Sequence, residues 1–177
     1  MGGDGHPEII AHTIASCFYL SQSVRLDTAL YVVFDQTPNY PRSIRFCVGE
    51  GLSFAGFHEE AIFQVIVRGL TAARGVAKGE ELQVLPGLSV FGFGFERVVE
   101  RTLVGSSGYL LHPDGDDVRD AQLGDPAVFI LSDHLALPKN SLKGLERQGI
   151  KKLSLGPKML FASQAVTLLH NELDRRS

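Results

Sequence analysis

Apolar and polar positions along this chain change period repeatedly, and each change marks an element. Glu8 to Leu20 is apolar around much of a helical circumference, which predicts a buried helix. Thr28 to Asp35 is a near-continuous apolar run of strand length and predicts a buried strand, ended by the turn residues Thr37-Pro38-Asn39-Tyr40-Pro41. Ser43 to Val48 predicts a short strand. His58 to Ala73 has a helical pattern, with Glu59 and Glu60 in the first turn, where the helix dipole favours carboxylates. Ala77 to Gln83 is polar and predicts a surface loop. Leu88-Ser89-Val90 predicts a strand, and Phe95 to Leu103 a helix broken by Gly105-Ser106-Ser107-Gly108. Further on, Tyr109 to His112 reads as a strand entering the Pro113-Asp114-Gly115 turn, and Val128 to Leu131 as a buried strand. Ser141 to Arg147 reads as a helix closed by Gly149, Lys152 to Leu155 as the last strand, and Ser163 to Arg175 as the last helix.

Strands that alternate with helices predict an α/β fold with a mostly parallel sheet. Ligands of such sheets bind beyond the carboxyl ends of the strands. Three strands end in candidate ligand loops: Leu111-His112-Pro113-Asp114-Gly115, Leu131-Ser132-Asp133-His134 and Leu155-Gly156-Pro157-Lys158. In the last of these a strand turns almost at once into a helix, whose first N–H groups have no partner within the helix. Neither a G-x-G-x-x-G fingerprint nor a Walker motif is present, so an ordinary dinucleotide or P-loop site is not expected.

With 177 residues, 44% of them hydrophobic and 21% charged, the chain is expected to be a single domain with a sizeable core. No apolar run is long enough to span a membrane. The start, Met1-Gly2-Gly3-Asp4-Gly5-His6, lacks the shape of a signal peptide. Cys17 and Cys47 each sit in an apolar setting and read as reduced core thiols. Together these features predict a cytoplasmic location. Net charge is −3, so the chain as a whole does not advertise nucleic-acid binding, but its charges are segregated. From Lys139 to Lys158 six basic residues face one acid, and Lys139, Lys143 and Arg147 are spaced to share a helix face that could hold a phosphate backbone. Asp133 beside His134 is too small a cluster for a metal, and no metal site is expected.

The order of the three loops, with Leu160-Phe161-Ala162-Ser163 and the close His170-Asn171-Glu172-Leu173-Asp174, resembles the TrmY family of tRNA (pseudouridine-54) N1-methyltransferases in the SPOUT superfamily. Leu20-Ser21-Gln22-Ser23-Val24-Arg25 is similar to the family's L-S-H-G-I-R, and Phe129-Ile130-Leu131-Ser132-Asp133-His134 to its F-x-L-G-D-H. The likeness runs from near Glu8 to the C-terminus, and the chain looks like a bacterial branch. It implies a deep trefoil knot in the C-terminal half, S-adenosylmethionine as cofactor, tRNA as partner and a homodimer.

The resemblance also implies roles. The cofactor contacts would be Leu111, Ser132, the run Ser154, Leu155, Gly156, Pro157, Lys158 and Met159, and Ala165 on the last helix. Glu8 stands where the family has an Asp and would serve as general base for the N1 proton, with His6 second. His12 stands where the family has an Arg and Arg25 matches another; with Lys139, Lys143 and Arg147 they are the expected RNA contacts. The chain departs from the family in several further places, among them the pattern G-R-x-D, which becomes Gly5-His6-Pro7-Glu8. The family's first strand has no counterpart before Glu8, Ser132 replaces a loop glycine, and Ala165 replaces a frequent cysteine. Two other readings stand beside this one: a methyltransferase acting on another RNA base, and a non-catalytic RNA-binding or assembly factor.

Overall fold

Helix α1 (Pro7–Phe18) opens on a proline, whose fixed φ suits a first helical position. Its Ala11, Ile14 and Phe18 fall on one stripe and are fully buried. The computed structural model describes residues 7–35, 37–132 and 137–176. The chain divides into two compact units, residues 1–98 and 99–177.

The first unit carries strands β1 (Leu30–Phe34), β2 (Arg42–Phe46), β3 (Glu81–Leu85) and β4 (Leu88–Phe91), with helix α2 (Glu59–Ala73) between β2 and β3. The sheet order is β1-β2-β4-β3 and every pairing is antiparallel, with Val32 opposite Ile44 and Ile44 opposite Val90. Helix α2 buries Ala61, Ile62, Val65, Ile66, Gly69 and Ala73, the stripe that a 3.6-residue period requires. The central strand β4 is buried at every position. Cys17 and Cys47 are free and buried, as expected. Burial pushes the Cys17 thiol up to about 12, which leaves it without thiolate character at neutral pH.

The second unit holds β5 (Ser107–Asp117), β6 (Ala127–Ile130), helix α4 (Lys139–Arg147), β7 (Lys151–Ser154) and helix α5 (Ala162–Asp174). Helix α3 (Phe95–Thr102) spans the junction of the two units in sequence. The sheet order is β6-β5-β7, and both pairings are parallel. Tyr109, Val118, Leu153 and Leu169 form the core, with Leu111, Phe129 and Leu155 packed against it. The Tyr109 hydroxyl accepts the Gly124 N–H at 2.8 Å, and its ring stacks on Phe129 at 5.5 Å.

Two expectations need correction. The sheet is not mostly parallel: parallel pairing belongs to the second unit alone, and the first unit is antiparallel throughout. The polar loop expected over Ala77 to Gln83 is in part strand β3. This strand lies at the sheet edge with Glu81, Leu82 and Gln83 exposed, so its residues carry the polarity that edges tolerate and show no apolar alternation. Strand β1, also at an edge, is half-buried rather than buried. Among the described residues no helix is long and apolar enough to cross a membrane.

Candidate cofactor site

Parallel strands place their carboxyl ends at one edge of a sheet, and three of them do so side by side in the second unit. Leu110 is the register partner of Ile130 on β6, and Leu111 that of Leu153 on β7. Leu111, Ser132 and Ser154 therefore leave the sheet at nearly one level. Beyond Leu111, β5 is interrupted: Leu153 is the partner of both Leu111 and Asp116, so His112 to Gly115 leave the ladder. The excursion is held by the Asp114 N–H, which donates to His112 Nδ1 at 3.1 Å. It returns against bare backbone. A Cβ on Gly115 would stand 2.4 Å from the Leu153 nitrogen, so only glycine lets the two strands meet.

The third loop is organised by Ser154. Its Oγ accepts the Gly156 N–H at 3.2 Å and fixes a turn in which Gly156 takes φ +114°, a region that suits only glycine. Among the described residues, none beyond its chain neighbours comes within 4 Å of where a Gly156 Cβ would sit. Pro157 and Lys158 are exposed and Met159 is 88% exposed. Leu111 and Leu155 pack against the core, and Ala165 on α5 is buried. At the start of α5 the Gln164 Oε1 accepts the Phe161 N–H at 3.0 Å. The residues present suit a flat, uncharged heterocycle with a polar tail: apolar side chains, a hydroxyl, and backbone edges where β6 and β7 end and β5 leaves its ladder.

The other expected residues lie elsewhere. Glu8 is exposed in the first turn of α1, and His12 is exposed one turn further on. Arg25 is half-buried in a narrow turn, where its N–H donates to the Phe18 carbonyl at 2.8 Å. Lys139, Lys143 and Arg147 are all exposed on α4, whose opposite side buries Leu145. His6, Asp133 and His134 fall outside the described residues. Among those described, no group of three or more His, Cys, Asp and Glu could hold a metal.

One further carboxylate carries no signal in the sequence, where it reads as the polar close of a strand. Asp35 follows β1 and accepts the Phe95 N–H at the start of α3. Burial, and then the neighbouring Glu96 carboxylate, raise its pKa above the ordinary 3.8, against the Phe95 hydrogen bond. A carboxyl whose folded pKa is raised adds stability that is full at acid pH and is lost as pH rises through the folded value. Asp35→Asn keeps an acceptor for Phe95 and removes the charge. The variant is expected to have a higher denaturation midpoint than wild type at neutral pH, with the gain disappearing below 3.8. A gain that persisted in acid would contradict this assignment.

The whole chain, residues 1–177, matches a family model described as "Putative SAM-dependent RNA methyltransferase". A Vibrio parahaemolyticus protein called "Putative pseudouridine methyltransferase" is 40% identical over 176 residues, covering 99% of this chain and 88% of the relative. An Alcanivorax borkumensis protein of the same description is 40% identical over 175 residues, covering 98% of this chain and 88% of the relative. Among solved structures, Archaeoglobus fulgidus Nep1 bound to S-adenosylhomocysteine superposes with a TM-score of 0.62 at 17% identity, covering 97% of this chain and 71% of that one. That likeness is one of fold.

Proposed function

From the premise that this chain belongs to that family of S-adenosylmethionine-dependent RNA methyltransferases, we propose that it methylates N1 of pseudouridine in tRNA. The observation that carries the substrate is the 40% identity, over 99% of the chain, to a protein described as a pseudouridine methyltransferase. S-adenosylmethionine supplies a methyl group activated on a sulfonium. Leu111, Ser132, the run from Ser154 to Met159, and Ala165 are the residues that would hold it. On transfer the N1–H bond would break with its proton going to the chain's base, the N1 electron pair would form the new N–CH3 bond, and the methyl–sulfur bond would break with its pair staying on sulfur as a neutral thioether. Glu8 is the proposed base, with His6 second. His12, Arg25, Lys139, Lys143 and Arg147 are the proposed contacts to RNA, and the exposed stripe on α4 supports the last three.

The same reading takes the chain as one SPOUT-type methyltransferase domain with a C-terminal trefoil knot, working in the cytoplasm as a homodimer. Met159 and Phe161, just before α5, and Leu168, midway along it, leave 88%, 67% and 41% of their surface open, and this exposed apolar surface supports a second copy as its cover.

The test is methyl transfer from labelled S-adenosylmethionine to total RNA from a strain lacking the gene, with mass spectrometry of the labelled nucleosides. Label in N1-methylpseudouridine from tRNA is the expected result. Label in another nucleoside would replace the substrate and keep the enzyme; cofactor binding without label would favour an assembly factor. Glu8→Gln is expected to slow transfer by roughly 10²–10⁴-fold with S-adenosylhomocysteine affinity intact. Unchanged turnover would remove Glu8 from the base role.

A further inference from the structure

In the first unit a series of aromatic rings runs from the core to the surface. Phe18 is fully buried, and its ring lies 6.4 Å from that of Phe54. Phe54 meets Tyr19 edge-on at 5.8 Å, and Tyr19 meets Phe57 edge-on at 4.9 Å. Phe57 ends the series with 74% of its surface open. A single exposed apolar side chain is ordinary and calls for no explanation. Phe57 differs because its support is built. The Tyr19 hydroxyl donates to the Gly56 carbonyl at 2.9 Å, which ties the ring beneath Phe57 to the residue before it. Tyr19 is itself pinned in a narrow hairpin: it bridges to Val24, and the Arg25 N–H donates to the Phe18 carbonyl at 2.8 Å. The Tyr19 contact leaves most of Phe57 open to water, beside a ring that is itself held by hydrogen bonding.

A fixed, exposed ring suits a planar partner. Unpaired RNA bases stack on such rings whatever their sequence, because every base has a π-face. Glu59 and Glu60, exposed at the start of α2 just after His58, offer no cation to a phosphate, so a base face is the contact that this place can supply. We propose that Phe57, seated on Tyr19, is a stacking platform for an unpaired base of the RNA substrate. The proposal rests on the reading that the substrate is RNA, and it identifies one place where the protein grips that RNA through a base face.

The chain has no tryptophan, so Phe57→Trp creates a single indole reporter at the platform. It is titrated with a short unpaired RNA oligonucleotide and with an abasic oligonucleotide of equal phosphate number. The indole is expected to be quenched by the base-bearing RNA and not by the abasic one. Phe57→Leu keeps an apolar side chain without a π-face. It is expected to weaken binding of the base-bearing RNA by roughly 5–100-fold. The salt dependence of binding, the S-adenosylhomocysteine affinity and the melting temperature should stay at wild-type values, because no phosphate contact, cofactor contact or core residue is lost. Absent quenching, equal quenching by the abasic strand, or wild-type affinity in Phe57→Leu would overturn the proposal. None of these readings depends on turnover. A protein that quenches selectively yet methylates no RNA keeps the platform and loses the enzyme, whereas one that methylates RNA with Phe57→Leu binding normally keeps the enzyme and loses the platform.

Discussion

Gly115→Ala is expected to abolish measurable S-adenosylhomocysteine binding and to destabilise the second unit by about 3 kcal/mol, the upper end of the usual cost of overpacking. The added methyl would lie 2.4 Å from the Leu153 nitrogen, 2.6 Å from the Lys152 carbonyl carbon and 2.7 Å from the Leu153 carbonyl carbon. All three are backbone atoms, which cannot swing aside as a side chain would. Relief requires β5 and β7 to separate where the first and third loops leave the sheet. Calorimetric titration and thermal melting check both effects. The matched control is Gly144→Ala. Among the described residues nothing outside its own helix turn lies within 4 Å of its Cβ position, and α4 there is regular helix. That change is expected to stabilise by up to about 1 kcal/mol and to leave cofactor affinity alone. If the two alanines behaved alike, the close approach at Gly115 would carry no weight in the site.

The second large effect is expected at Arg42, which is buried in the first unit. Its Nε donates to the Ala73 carbonyl at the end of α2 at 2.7 Å. Its Nη1 donates to the carbonyls of Pro38 at 3.0 Å and Tyr40 at 3.3 Å, and the guanidinium lies 4.4 Å from the centre of the Tyr40 ring. No carboxylate pairs with it among the described residues. The charge is satisfied by carbonyl dipoles and by the negative end of α2. Arg42→Met fills much the same volume but leaves the Pro38 carbonyl without its donor and the Tyr40 and Ala73 carbonyls with only the Thr37 hydroxyl and a long Val76 N–H, at a cost of about 2 kcal/mol. Arg42→Lys keeps the charge but cannot fork between the turn and the helix end, so most of the loss should remain. Denaturant midpoints of the two variants check this, and a lysine variant as stable as wild type would show that charge alone suffices.

The elements that the sequence announced were those whose burial follows a period. Helices α1, α2, α3 and α5 and the central strands β2 and β4 lie within two or three residues of their expected bounds, because their apolar positions face a core. Strand β3 was hidden because edge residues such as Glu81 and Gln83 have no core to face. The extent of β5 was hidden for another reason. Pro113-Asp114-Gly115 reads locally as a turn that ends a strand, and nothing local indicates that the same ladder resumes at Asp116. In the first unit the alternation of helix and strand does not bring parallel pairing, because α2 connects antiparallel β2 to a β3–β4 hairpin. Of the candidate site, the loops were legible because their Gly and Pro residues mark strand ends. The raised carboxyl of Asp35 was not, since it depends on Glu96 and Phe95, which come next to it only in the fold.

Strand β5 takes its β7 partner on both sides of its interruption, from a segment that follows it in the chain by way of β6 and α4. This has a consequence during synthesis. A nascent chain that has not yet reached Lys151 carries β5 with one edge open and with no Leu153 to fill the centre of its core. Open strand edges are templates for pairing with other chains. Ribosomes that stall or terminate before β7 would therefore release products prone to self-association, while the first unit, whose strands are all made by Phe91, has its sheet partners in hand. Pausing late in the message should hence weigh more on soluble yield than pausing early.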